Sequence, residues 1–463
     1  MIEPVFLSAD LYAESIYSIR ISEGLLFKLN ADEKFSNFPP GYLHPFVYAL
    51  IYLLCLKNKD LFILVTYLFN SIIMFFTILI IKKFYEKFFS EKSNFPIFFL
   101  IFSFPFFINF YLTLNFPLYT FLFYLSLYFS DDDKKFFLIY PLLIFLRPEG
   151  LIVAIFYFFY RLFTLKNFKG NFIPIISVLL ISILPFLLNY LLTGFLTTTA
   201  LRAQSLFFNY ELSLAIIKGF ETFLKHFAGI LLGFPLLNIQ VTNYLSTFIY
   251  PPFFLLFIII YIFKEKNPLH FIFFSIFILV FFISSFSIFS GIHFSRHIAF
   301  LYPILTFFLY RGIKLIRFNF FLFLYFLFLV GQFLFFILNI RTILSVTLKI
   351  KNTVIKAAEL VPRGEEVITY SDPYFFFYNM EKLKVRMLSP SFNLETSKEI
   401  RNFIDKENTK RMLLKFIEHK LTGAEFYFVS FKDPLREVIQ KIFTDSMFVN
   451  DNFILLKRNF FIK

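Results

Sequence analysis

The stretch Phe137–Tyr160, FLIYPLLIFLRPEGLIVAIFYFFY, is apolar but for Arg147 and Glu149, two residues apart with a proline between them. Proline suits the first turn of a helix and interrupts one already under way, so Pro148 divides the run into two helical segments. A run this apolar lives in lipid or in a deep core. Ionisable groups are costly there, which makes them functional candidates by default. Glu149 falls in the first turn of the second segment, where a carboxylate suits the helix dipole. Arg147 ends the first. Its fork of donors fits an anion, a pair with Glu149, or anchorage at the membrane interface.

The rest of the chain has the same character. Of 463 residues, 58% are hydrophobic, 81 are Phe and none is Trp; soluble domains run at about 45–50% apolar. Hydropathy places ten spans, at 61–81, 95–112, 114–130, 136–147, 149–164, 171–193, 251–264, 268–285, 298–312 and 319–341. Segment 44–56 is apolar but short and reads as an interfacial or re-entrant helix. The fold class is therefore mostly α, a polytopic membrane protein.

The net charge of +14 sits in short connections, so it implies no nucleic-acid partner. Alternate connections carry Lys82, Lys83, Lys87 and Lys92; Lys134 and Lys135; Arg161, Lys166 and Lys169; Lys264 and Lys266; Arg311, Lys314 and Arg317. The opposite connections hold about one basic residue each. The basic set is then cytoplasmic. Residues 1–60, the RPEG turn, the long loop 194–250, the SGIHFSRH loop and the C-terminal region face outward. No signal peptide is visible in MIEPVFLSADLYAES. An outward start then calls for either a further span upstream, the preferred reading, or an N-terminus translocated as a tail. The single cysteine, Cys55, excludes an internal disulfide and a cysteine-ligated metal.

Beyond about Arg341 the composition changes. AAELVPRGEEVITYSDPYFFFYNMEKLKVRML reads as helix, turn, strand (Val367–Tyr370), helix, strand (Lys384–Leu388). KLTGAEFYFVSF reads as a strand, and DPLREVIQKIF as a helix capped by Asp433. Three regions follow: a first outer loop with juxtamembrane helices (1–60), a membrane region (61–341) and an extracytoplasmic α/β domain (342–463).

Candidate chemistry gathers on the outer side. Asp10 and Glu14 precede every span and share a helical face with Tyr17; a carboxylate there suits a general base or simply a solvated helix. His44 follows a Pro-Pro-Gly turn and could bind phosphate or carry protons near neutral pH, or merely pack the turn. His293, Arg296 and His297 precede a span and suit an anion clamp or interfacial anchoring. Asp131, Asp132 and Asp133 mimic a metal-binding acidic motif. They lie on the cytoplasmic side beside Lys134 and Lys135, and read as a solvated loop.

The order of these features resembles the GT-C class of integral-membrane glycosyltransferases. Asp10 stands fourteen residues before Gly24 in EGLLF, PPGYLHP follows at 39–45, RPEG at 147–150, SRHIAFLYPIL later, and VPRGEEVITYSDPYFFFYNMEKLKVRML begins the C-terminal region. Two departures stand out: Ala9 occupies the place of a paired first-loop acid, and LTLNFPL carries Asn115 where many members have a Gly-and-Glu turn. The resemblance implies a polyprenyl-phosphate sugar donor, a glycan, lipid or protein acceptor, and action at the outer face of the cytoplasmic membrane. It makes Asp10 the general base and Arg147 the phosphate ligand, with Glu149 orienting it and Arg296 as a later arginine. Arg202, in the long loop with Lys218, Lys225 and His226, would bind donor lipid or acceptor. It admits a divalent cation, Mg or Mn, without requiring one. A flippase of lipid-linked glycans would instead place charge at midplane and show symmetric halves; few ionisable residues lie deep in the spans and no repeat is present. An inactive structural homologue is the third reading.

Overall fold

The computed structural model describes residues 4–6, 9–26, 41–164, 168–193, 196, 205–209, 211–232, 254–286, 299–315, 319–370, 372–388, 426–430, 440, 443, 445–449 and 453–457. The helices are α1 (Ala9–Ser22), α2 (Leu43–Leu54), α3 (Lys59–Phe89), α4 (Phe95–Ile101), α5 (Phe104–Leu112), α6 (Asn115–Tyr128), α7 (Asp133–Leu146), α8 (Leu151–Thr164) and α9 (Phe168–Thr193). They continue as α10 (Leu206–Asn209), α11 (Leu212–Leu232), α12 (Phe254–Glu265), α13 (Pro268–Ser284), α14 (Tyr302–Leu315), α15 (Asn319–Glu359) and α16 (Pro373–Asn379).

Helices occupy all ten segments that hydropathy selects. Among the described residues, two helical stretches are long and apolar enough to cross a bilayer alone, Lys59–Phe89 and Phe172–Leu192. The segment 95–112, expected as one span, is two helices bent by 44°. Pro105 stands in the first turn of α5 and lacks the N–H that a continuous helix needs. Leu64, Leu68, Phe75 and Phe76 of α3, and Leu180, Ile183 and Leu191 of α9, remain exposed. So much exposed apolar surface suits lipid rather than water.

Two cores hold the chain. The larger is built from α3, α4, α6–α8 and α12–α14, and is dense in aromatic pairs, such as Phe89 stacked on Phe307 at 4.3 Å. The second joins α1 and α2 to the C-terminal end of α15, α16 and a five-stranded sheet. Its strands are β1 (Glu366–Tyr370), β2 (Lys384–Leu388), β3 (Phe426–Ser430), β4 (Asp445–Val449) and β5 (Phe453–Lys457), in the order β2-β1-β3-β5-β4. β1 runs parallel to β2 and β3, and β5 antiparallel to β3 and β4. All three expected strands are present; DPLREVIQKIF lies almost wholly outside the described residues.

The change of composition at about Arg341 falls inside a continuous helix. α15 runs from Asn319 to Glu359, because nothing between Arg341 and Glu359 stops a helix. It ends before Pro362 and Gly364, where φ reaches +84°. The acidic run 131–133 keeps the solvent exposure expected of it and also makes contacts. Asp132 caps α7 by accepting from Lys135 N, Asp131 pairs with Lys87, and Asp133 pairs with Arg161 and accepts from Tyr157.

Candidate functional site

The RPEG turn is assembled against Gly41 and Tyr42. Tyr42 N donates to Phe145 O at 2.7 Å, and Tyr42 Oη donates to Asn189 Oδ1 of α9 at 2.7 Å. Gly41 is required here for closeness: a Cβ would lie 1.5 Å from the Leu146 carbonyl oxygen. The glycine lets the two backbones touch. Arg147 then closes α7, and Pro148–Gly150 form a short 3-10 turn leading into α8.

Arg147 is 7% exposed. Its Nη2 donates to Glu149 Oε1 at 2.6 Å and its Nε to Oε2 at 3.3 Å. The guanidinium lies 5.3 Å from the ring centre of Tyr119. Glu149 therefore fixes the fork by two contacts while the ring supports its face. A guanidinium carries five N–H donors, so three are left to offer among the described residues.

Glu14 reaches across from α1. Its carboxylate accepts from Leu114 N at 2.5 Å, Asn115 N at 3.3 Å and Asn115 Nδ2 at 3.0 Å. Leu114, at the N-cap of α6, supplies no side-chain cap of its own. Glu14 thus caps α6 from a hundred residues away, and satisfies N–H groups that every helix start leaves open. The solvated face expected for α1 is not found: Tyr17 is buried and Glu14 half-buried. Glu14 also lies close enough to act on the charge of Arg147.

His44, in the first turn of α2, is fully buried, and neither ring nitrogen has a hydrogen-bond partner among the described residues. Burial first, and the positive charge of Arg147 second, push its imidazole down to about 3. A ring held neutral by burial weighs against the proton-carrying role expected near neutral pH, and leaves phosphate binding and turn packing. What remains is a neutral donor–acceptor beside Arg147. Asn115 Oδ1 and Tyr119 Oη also lack partners among the described residues.

Glu14, His44, Arg147 and Glu149 are therefore brought together. Asp10 lies in the first turn of α1, one turn before Glu14, with its side chain outside the described set. Arg202, His293, Arg296 and His297 lie outside the described residues. Asn115 and Tyr119 were not foreseen. The signal for Asn115 was present, since its turn lacked the acid found in the resembling family. Nothing in the sequence said which distant carboxylate would fill that place. Among the described residues no cluster of three or more His, Cys, Asp or Glu could hold a metal ion.

No family model matches the chain, and no curated protein sequence does. Solved structures do. ArnT from Cupriavidus metallidurans in the apo state aligns with 97% of this chain and 92% of its own, at 12% identity and a TM-score of 0.52. The chain has the ArnT fold. ArnT from the same organism bound to undecaprenyl phosphate aligns with 97% of this chain and 93% of its own, at 11% identity and a TM-score of 0.50. The mostly α architecture expected from the sequence is thus the one found, and ArnT shares the fold over nearly its full length.

Proposed function

We propose that this chain is a membrane glycosyltransferase that moves a sugar from a polyprenyl-phosphate donor to an acceptor at the outer face of the cytoplasmic membrane. The observation that carries the reading is the ArnT fold over 97% of the chain, in one case with undecaprenyl phosphate bound. In the proposed topology the ten apolar segments cross the membrane, the basic connections face the cytoplasm, and residues 1–60 and 342–463 face outward.

In this reading the bond between the anomeric carbon and the phosphate oxygen breaks, and the electron pair leaves with the phosphate. Arg147 offers its three remaining donors to the leaving phosphate, and stabilises its growing charge in a poorly hydrated site. Glu149 and Tyr119 hold the guanidinium in place. Because Glu149 already balances Arg147, further positive charge comes from Arg202, His293, Arg296 and His297. Asp10 takes the proton from the acceptor hydroxyl or amine as the new glycosidic bond forms. Neutral His44 hydrogen-bonds an uncharged group of the donor.

The test is a transfer assay with a labelled polyprenyl-phosphate sugar. Asp10→Asn and Arg147→Ala should each lower turnover by at least tenfold; a general base or a charge stabiliser commonly contributes about 10²–10³. Full activity in both variants defeats the scheme.

A further inference from the structure

The second core has a consequence for the site. Helix α16, sequence PYFFFYN, is a wedge of aromatic side chains in which Phe375, Phe376 and Phe377 are fully buried. Its own ends are tied. Asp372 caps it by accepting from Phe375 N at 2.9 Å, and Asn379 Nδ2 donates to Val354 O of α15 at 3.2 Å. The wedge therefore stands fixed on the long helix that rises out of the apolar core.

What α16 packs against is α1. The Tyr12 ring lies 4.6 Å from that of Tyr374 and 5.1 Å from that of Phe377. Tyr12 Oη and Tyr378 Oη share a hydrogen bond of 2.8 Å, and Phe6 N donates to Tyr12 Oη at 3.1 Å. At the other end of α1, the Arg20 guanidinium lies 5.3 Å over the Phe376 ring. A helix of 14 residues is marginal in isolation, so its position is set by what it packs on. Two residues beyond Tyr12 is Glu14, whose carboxylate is the cap of α6. One turn into α6 is Tyr119, against which the Arg147 guanidinium rests.

We propose that α16 is a positioning element for the site: Tyr378 and Phe377 hold α1, α1 places Glu14, and Glu14 fixes the start of α6 and with it the Tyr119 support of Arg147. Neither Tyr378 nor Phe377 touches substrate in this scheme. The sheet unit at the C-terminus acts as a clamp on the residues around Arg147, so that a carboxylate near the N-terminus does the capping work of the missing local acid. Its effect on sugar transfer rests on the function proposed above; the mechanical coupling does not.

The experiment is hydrogen exchange read by mass spectrometry on the full chain in lipid nanodiscs. Tyr378→Phe removes one hydroxyl and should speed exchange about fivefold, the equivalent of one hydrogen bond, over residues 12–18 and at the amides of Leu114 and Asn115. Glu14→Ala should speed exchange at Leu114 and Asn115 by tenfold or more and leave residues 12–18 unchanged. The proposal is overturned if Tyr378→Phe alters only α16 and the sheet while 114–115 stay protected. It is overturned equally if Glu14→Ala leaves 114–115 protected. Phe377→Ala gives a second reading of the clamp, with the same pattern expected and an unchanged sheet as its control; general loss of protection in the sheet leaves the decision to Tyr378→Phe. Undecaprenyl phosphate titrated into the same samples separates the two claims. Wild-type chain that fails to bind it sinks the proposed function, while the exchange pattern alone decides the clamp.

Discussion

Exchanging Arg147 and Glu149 one at a time should move phosphate binding in opposite directions. The guanidinium is buried and shares its charge with Glu149 through contacts of 2.6 and 3.3 Å. A phosphate charge at roughly 4 Å from it gains about 4 kcal/mol at an effective dielectric of about 20. The Glu149 carboxylate, roughly 6 Å from the same phosphate, opposes this by about 3 kcal/mol. A charge-assisted hydrogen bond adds about 2 kcal/mol. The pair together is worth about 3 kcal/mol, but Arg147→Ala removes about 6 kcal/mol and leaves the Glu149 repulsion in place, so it should weaken binding by about 10⁴-fold. Glu149→Gln removes the repulsion but gives up part of the bidentate orientation, which costs about 1–2 kcal/mol. The remainder should tighten binding by about tenfold. The assay is a titration of undecaprenyl phosphate into chain held in nanodiscs, followed by native mass spectrometry. Binding within threefold of wild type in Arg147→Ala refutes the phosphate role. Weakening in Glu149→Gln comparable to that in Arg147→Ala refutes the charge balance and makes Glu149 an indispensable strut.

Two further perturbations test the scaffold. Gly41→Ala places a methyl group on the Leu146 carbonyl. It should cost about 1–3 kcal/mol as overpacking, visible as a lowered melting temperature in detergent together with weaker undecaprenyl phosphate binding; an unchanged melting temperature would contradict the close approach. Asp372 is buried, and burial lifts its carboxyl to about 6 despite the cap bonds from Phe375 and Tyr374. A carboxyl that binds its proton more tightly when folded contributes stability that is present below its unfolded value near 4 and lost as pH rises through 6, about 3 kcal/mol in all. Urea titrations of the full chain at pH 4.5 and 7.5, reporting on the sheet, should show Asp372→Asn gaining relative to wild type at the higher pH, and an equal pH response in both would sink the assignment.

Periodicity and hydropathy are local, and what they decided was local. Apolar runs separated by basic connections placed every helix of the large core, because each run must satisfy its own backbone hydrogen bonds in lipid. The β-rich stretches at 366–370, 384–388 and 426–430 were visible for a similar reason. Local signals were weak at two places. The composition changes near Arg341, yet the helix runs on to Glu359 and ends before Pro362 and Gly364. The 95–112 run looked continuous because composition carries no bend, although Pro105 was in plain view.

The site divides in the same way. Arg147, Pro148 and Glu149 are neighbours in the chain, so their pairing could be anticipated from spacing alone. His44 could be named, but its protonation could not, because a neutral ring follows from burial and from an arginine a hundred residues away. The sequence by itself determined a mostly α-helical, strongly apolar chain with charge gathered at a few turns and strand-forming stretches toward its C-terminal end, since those follow from side-chain polarity and helix period. Only the tertiary structure decided that Glu14 caps α6, that Tyr119 bears Arg147, and that Tyr12 meets Tyr378. Each of these joins residues far apart in the chain, and no local pattern records which of many equivalent carboxylates or rings will meet once the cores close.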